Sequence, residues 1–285
     1  MTAVTTIALH ALQEALRRRV FLVVLVLTVA FLGLFWLGTS KAFEDARGFT
    51  GTTETGVDID VVVGATLLGL AMFATLFLGT VLAIFLTLGV VRGDAERGLL
   101  QPIVVRPLGR PIFLLARFLG AGAVCGLYVV AVYLATVWIV RGAGGWSPDQ
   151  LIRPGLELGA AAILLCALSL LGSVFLSTTA NGIAIFMLYG AGLVGGLLGQ
   201  IGEAINSATL MRVSDRTAWA LPFDALYQDG LHRITADTIG LTRFAVNLGP
   251  FGGAQQADAD LLLWTLVYLG LVGLAAVAAF SRRDL

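Results

Sequence analysis

An all-α polytopic membrane protein follows from three features of this 285-residue chain: its composition, the length of its apolar runs and the placement of its charges. Hydrophobic residues make up 58% of the chain and charged residues 13%, with a mean hydropathy of +0.92. Soluble domains carry about 25% charged residues, so this composition does not supply a water-facing surface. A helix needs about 20 apolar residues to cross the hydrocarbon core. Six segments come near or exceed that length: 20–37, 61–91, 118–140, 156–176, 182–201 and 261–280. The formal net charge is zero, so nothing in the bulk charge points to nucleic acid. The informative quantity is where the charges lie.

Residues 1–19 precede the first span. Val4, Ala8, Ala11, Leu12, Ala15 and Leu16 share one helical face, and His10, Gln13, Glu14 and Arg17 lie away from it. Spacing by three and four predicts an amphipathic helix in the membrane interface, with Glu14, Arg17 and Arg18 at its polar margin. The 20–37 run is long for a signal-peptide core and has no clean small-residue cleavage site, so it reads as a permanent span. The 61–91 run exceeds one upright crossing and is expected to tilt or to project from the bilayer. Spans one to five thus occupy 20–201, and span six occupies 261–280.

Between spans two and three lies a charged island, 92–117, with five arginines, two acids and three prolines. Between spans five and six lies the longest non-spanning piece, 202–260. It is mixed rather than polar: Trp219, Leu221, Phe223, Leu226, Tyr227 and Leu231 fall close together. Pro222 suits the first turn of a short helix, and Gly249-Pro250-Phe251-Gly252-Gly253 is a turn-rich break. This piece is expected to return to the outer membrane surface as short or re-entrant helices.

Charge placement sets the orientation. The N-terminus, the island, the turn at 177–181 and the tail at 281–285 hold ten basic and four acidic residues. The connections on the other side, with Glu157 at a span edge, hold eight basic and fourteen acidic residues. Basic residues in short connections stay inside. Both termini and the island are therefore expected to be cytoplasmic.

Several chemistries lack their residues. A P-loop needs a Gly-Lys pair to wrap phosphate, and Lys41, which follows Ser40, is the one lysine among eighteen basic residues. No catalytic histidine accompanies Ser169 or Ser173 in the fourth span, because His10 and His232 lie outside the spans, and no H-E-x-x-H is present. The chain is not expected to be an enzyme. Met72, Cys125, Cys166 and Met187 are soft donors on four different spans without ligand spacing, so they read as apolar packing. The two cysteines are expected to be buried thiols. The span cores hold no acid or base, with Glu157 and Arg117 at edges, which argues against an ion-coupled carrier. In the fifth span Gly192/Gly196 and Gly195/Gly199 are small-xxx-small pairs suited to close helix packing, within the chain or at a dimer or moving interface.

The order of elements and the island resemble a family. Glu96-Arg97-Gly98-Leu99-Leu100, then Arg106-Pro107-Leu108-Gly109-Arg110, then Leu114-Leu115-Ala116-Arg117-Phe118-Leu119 resemble the E-x-G-T-L, R-P-[VL]-x-R and L-x-K-[FL]-L pattern of membrane subunits of type 2 ATP-binding cassette exporters. Leu99 stands where that pattern has Thr, and Arg117 where it has Lys. Leu221-Pro222-Phe223-Asp224-Ala225-Leu226 resembles an outer-loop motif of the NosY-like branch, which is connected with copper-enzyme maturation. The resemblance implies a permease subunit of an export-type transporter in the prokaryotic plasma (inner) membrane, forming a homodimer in the lipid bilayer. It implies a separate ATPase subunit that holds ATP and Mg, with no cofactor in this chain. That subunit would dock on 92–117 through Glu96, Arg97, Gly98, Leu99, Leu100, Arg106 and Arg110. The alternative expectation is a membrane scaffold or mechanotransmitting component that recruits an extracytoplasmic partner through 202–260 without transport.

Overall fold

The computed structural model describes residues 19–49, 57–87, 110–247 and 254–282. Among them the chain is helical throughout, without strands. Five long helices come first: α1 (Arg19–Phe49), α2 (Ile59–Thr87), α3 (Arg110–Gly144), α4 (Arg153–Phe175) and α5 (Thr178–Ala204). Three short ones follow, α6 (Ala208–Ala220), α7 (Pro222–Arg233) and α8 (Gly240–Asn247), and then the long α9 (Ala259–Ser281). The six long helices are each apolar and long enough to cross a membrane.

α4 is the hub of the bundle. It packs against α2, α3, α5, α7 and α9. Its Leu158, Ala161, Ala162, Leu165 and Cys166 are sealed from solvent together with Leu68, Met72 and Leu76 of α2 and Cys125 and Val129 of α3. Both cysteines are free and buried. By contrast α1 leaves Leu22, Val23, Val26, Val29, Leu34 and Trp36 more than half exposed. An apolar face of that size is stable against lipid tails rather than water.

Helices outrun the apolar runs. α1 extends 31 residues, about 46 Å at 1.5 Å per residue, against a hydrocarbon core of about 30 Å. Residues 38–49, expected as the start of a connection, are instead its last three turns. The reason lies in packing: Phe43 is buried on α3 at Gly144 and Val140, and Arg47 Nη2 donates to the Ala143 carbonyl at 3.2 Å. In the same way 110–117 of the expected island form the opening turns of α3, with Phe113 and Leu114 buried against Leu170 and Phe280. Hydropathy marks where the bilayer ends, not where the helix does. α3 stops at Gly145, whose φ of 75° few other residues adopt.

A methyl group at Gly144 would overlap the Phe43 ring. Gly144→Ala is therefore expected to displace a fully buried aromatic and to lower stability by about 1–3 kcal/mol. Thermal unfolding in detergent measures this, with Gly142→Ala, which meets nothing within 4 Å, as the neutral comparison.

One end of the bundle is knotted by polar groups. Thr87 Oγ1 donates to Ser169 Oγ at 2.6 Å, and Asn181 Nδ2 donates to the Ser169 carbonyl at 2.9 Å. These contacts hold α2, α4 and α5 together beside the two-residue turn at 176–177. The expected turn at 177–181 is shorter in the structure because Asn181 belongs to α5. The other end is capped. The starts of α2 and α4, the 145–152 connection and α6–α8 all meet there, as when the Asp58 amide donates to Thr242 Oγ1 at 2.9 Å and the Asp149 amide to the Ile234 carbonyl at 3.2 Å.

Candidate functional site

The cap is built on a helical hairpin that folds back along α5. α5 ends in a tight turn with Asn206 at φ 52°, a left-handed conformation that asparagine tolerates. The Ser207 amide donates to the Gly202 carbonyl at 2.8 Å. The turn sends α6 back along α5, antiparallel. Gly202 faces Leu210 and Met211, Gly199 faces Ser214 and Gly195 faces Thr217. At Leu221-Pro222 the chain reverses into α7, whose Phe223 and Asp224 lie on Gly192 and whose Gln228 lies on Gly196. Gly192 is twelve residues from the end of α5, so the hairpin penetrates about 18 Å alongside it.

α7 forms for local reasons and stays for tertiary ones. Pro222 occupies the first turn, Asp224 the N-terminal turn, and His232 and Arg233 the last turn, each where the helix dipole favours it. Its apolar residues Phe223, Leu226, Tyr227 and Leu231 are within 4% of full burial. A helix buried on all sides must place its polar residues against partners, and α7 does so in two groups.

The first group anchors α7 to α4. Arg233 Nε donates to Glu157 Oε1 at 3.0 Å and to Asp229 Oδ2 at 2.8 Å. Arg153 Nε donates to the same Glu157 oxygen at 3.1 Å. Asp229 Oδ1 accepts the Ala257 amide at 3.0 Å, which ties in the lead to α9. Two carboxylates face two guanidiniums, so the set is neutral. Glu157, Asp229 and Arg233 are 8%, 0% and 6% exposed; such charges are tolerated inside a protein only as hydrogen-bonded partners.

The second group faces a pair of cavities that share part of their lining. An open cavity of about 720 Å³ lies among α6, α7, α8 and the 254–261 segment, and its wall carries Glu203, Asp215, Asp258 and Asp260 against Arg243 and His232. Beneath it is a cavity of about 50 Å³, walled by Gly196, Ser214, Asp224, Gln228 and Gln255. Ala218, Gln255, Gln256 and Leu261 line both. Asp224 is 3% exposed, and among the described residues its Oδ1 has no hydrogen-bond partner. Burial pushes its carboxyl up to about 8.

Among proteins of known families, the model of the ABC-2 family transporter proteins matches residues 5–285. The chain belongs to this ABC-2 family. It is 31% identical over 182 residues to the probable ABC transporter permease protein NosY of Stutzerimonas stutzeri, and 31% identical over 182 residues to that of Pseudomonas aeruginosa PAO1. Each alignment covers 62% of this chain and 58% of the relative. The chain thus spans less than two thirds of the length of the curated relatives it matches. Family and helices together make this ABC-2 protein a multi-pass protein of the prokaryotic plasma membrane.

The ABC-2 assignment leaves the sequence-derived residues in different places. Glu96, Arg97, Gly98, Leu99, Leu100 and Arg106 fall outside the described residues, as do Glu14, Arg17 and Arg18. Arg110 is the first residue of α3. Gly192, Gly195, Gly196 and Gly199 are buried, and the structure sets them against α6 and α7 of the same chain. Glu157, read as a span-edge residue, is buried in the anchor. Asp224, Asp229 and Arg233 carried no functional reading. The signal available was the Asp229/Arg233 pair at i,i+4, four positions apart on a segment opened by Pro222.

Proposed function

We propose that this chain is the membrane-spanning permease subunit of an export-type ATP-binding cassette transporter, driven by a separate ATPase subunit that docks on 92–117. The observation that carries this reading is the match of an ABC-2 transporter family to 5–285 in a chain without a P-loop lysine. The relatives are described as permease proteins, which supports the same role. ATP and Mg would be held by the partner. The connection from α2 to α3 leaves the end of the bundle opposite the cap, so a push on it reaches the cap through α3 and α4. The exposed apolar faces of α1, α5 and α9 offer surface to lipid and to a second permease copy.

Transmission of force to an extracytoplasmic partner is the second reading. The buried anchor favours it, because a charge-locked α7 moves with α4 as one body. Either reading requires the docking surface. Glu96→Lys combined with Arg97→Glu is expected to abolish co-purification of this chain with its ATPase while leaving its own expression and unfolding temperature unchanged. Undiminished co-purification would remove the docking claim.

A further inference from the structure

We propose that the paired cavities under the cap bind a primary ammonium group, with Asp224 as its innermost anion. This inference concerns the capped end and does not depend on ATPase docking. Three features of the capped end lead to it.

The first is charge. The outer cavity carries four carboxylates against one guanidinium and one imidazole, and one of the four, Glu203, accepts from Gln255 Nε2 at 2.8 Å. Walls of one sign concentrate ligands of the other. The second is the unpartnered acceptor. Among the described residues Asp224 Oδ1 is buried without a hydrogen bond; Glu157 Oε2 is likewise unpartnered, but its other oxygen is held by Arg153 and Arg233 and Glu157 lines neither cavity. A buried acceptor left unmade costs about 1–3 kcal/mol, so its persistence calls for a donor.

The third is size and shape. The inner cavity, about 50 Å³, is large enough for a group on the scale of one water, whose share of liquid volume is about 30 Å³. An ammonium head fits that space, while a guanidinium is planar and larger. An ammonium donates three hydrogen bonds, and Asp224, Ser214, Gln228 and Gln255 line the cavity, with Asp224 Oδ2 and the Ser214 hydroxyl facing the glycine seam beside it. The alkyl chain behind it would exit past Ala218 and Trp219. Trp219 packs at a tilt against Trp264 with ring centroids 5.8 Å apart, which holds an aromatic ring at the mouth for cation–π contact.

Binding carries a proton signature. The uncharged Asp224 carboxyl gives its proton to solvent as its oxygen accepts from the ammonium, so total charge is conserved and one proton is released. The titratable groups that face Asp224 are Tyr189 of α5 and Tyr227 of α7. Tyr227 stays neutral in this range, since burial moves it further above its ordinary value. Ser214, Gln228, Gln255 and Gln256 complete the surroundings without charge. Affinity is therefore expected to rise by up to about tenfold per unit from pH 6 toward pH 8.

The test is calorimetric titration of the full chain in nanodiscs with spermidine, with tri-lysine and with neutral octanediol. The expected result is binding of at least one amine, none of octanediol, and at least tenfold weaker binding by Asp224→Asn. Spermidine alone would mark a free polyamine as the source of the ammonium, and tri-lysine alone a lysine side chain of a peptide. Ala218→Leu adds bulk where the two cavities share their lining, leaves the Asp224 carboxyl in place and is expected to weaken binding at least tenfold; it decides the matter if Asp224→Asn does not fold. Failure of both amines to bind, a folded variant that binds as wild type does, or affinity flat between pH 6 and pH 8 would overturn the proposal.

Discussion

Arg233→Ala is expected to destabilise the protein by roughly 3–5 kcal/mol, the range for removing one partner of a buried ion pair. The substitution leaves Glu157 and Asp229 facing each other, both nearly or fully buried, with no guanidinium between them. Arg153 does not compensate. Among the described residues it reaches Glu157 alone, and its side chain is 50% exposed. For that reason Arg153→Ala is expected to cost about 1 kcal/mol or less, as exposed pairs do. The contrast between two arginines on one carboxylate separates burial from mere charge. Adding Glu157→Gln to Arg233→Ala should restore part of the loss, with a coupling of about 0.5–3 kcal/mol. Chemical or thermal unfolding in detergent of these three variants and of Glu157→Gln alone measures the costs and the coupling. Equal small effects from both arginines would mean that the anchor does not hold α7 to α4.

The second large effect is expected at the glycine seam of α5. A Cβ at Gly192 would lie 2.5 Å from the Phe223 ring. One at Gly196 would overlap Gln228 and come within 2.8 Å of Asp224. Phe223 is fully buried and has no space to withdraw. Overpacking against the buried Phe223 ring by Gly192→Val costs about 1–3 kcal/mol, and Gly196→Val adds the displacement of Gln228 beside its cavity, so the double variant is expected to lose at least about 2 kcal/mol and to lift α7 from α5. The lift has its own readout: hydrogen exchange in 222–233 should accelerate by at least tenfold, while exchange in α2 and α3 stays slow. Gly190→Ala on the same helix meets nothing within 4 Å and should change neither quantity. Slow exchange in α7 of the double variant would show that the seam does not seat it.

The spanning helices were legible because lipid imposes a length rule on every one of them. Their ends were not. The last turns of α1 past Gly38 are polar and look like a connection, yet Phe43 and Arg47 hold them on α3. The glycines were legible as small residues at helical spacing, but spacing does not say which surface comes close. The structure gives that place to α6 and α7, through a turn that depends on one left-handed asparagine. The charged anchor was hidden for a different reason. Glu157 and Arg233 are 76 positions apart, and each looks like a boundary residue until α7 is folded inward. Asp224 sits in a strongly apolar neighbourhood of the chain, and nothing local shows that its carboxyl reaches a cavity.

The claim that joins these parts is that the bundle is worked from outside by an ATPase meeting the 92–117 connection. Its most direct test is the rate of ATP hydrolysis by the partner ATPase in nanodiscs that contain this chain. The wild-type chain is expected to change that rate by tenfold or more over the ATPase alone, and the Glu96→Lys, Arg97→Glu variant, folded to the same unfolding temperature, is expected to return it to the level of the isolated enzyme. Hydrolysis that is the same with the wild-type chain, with the variant and with neither would contradict the account.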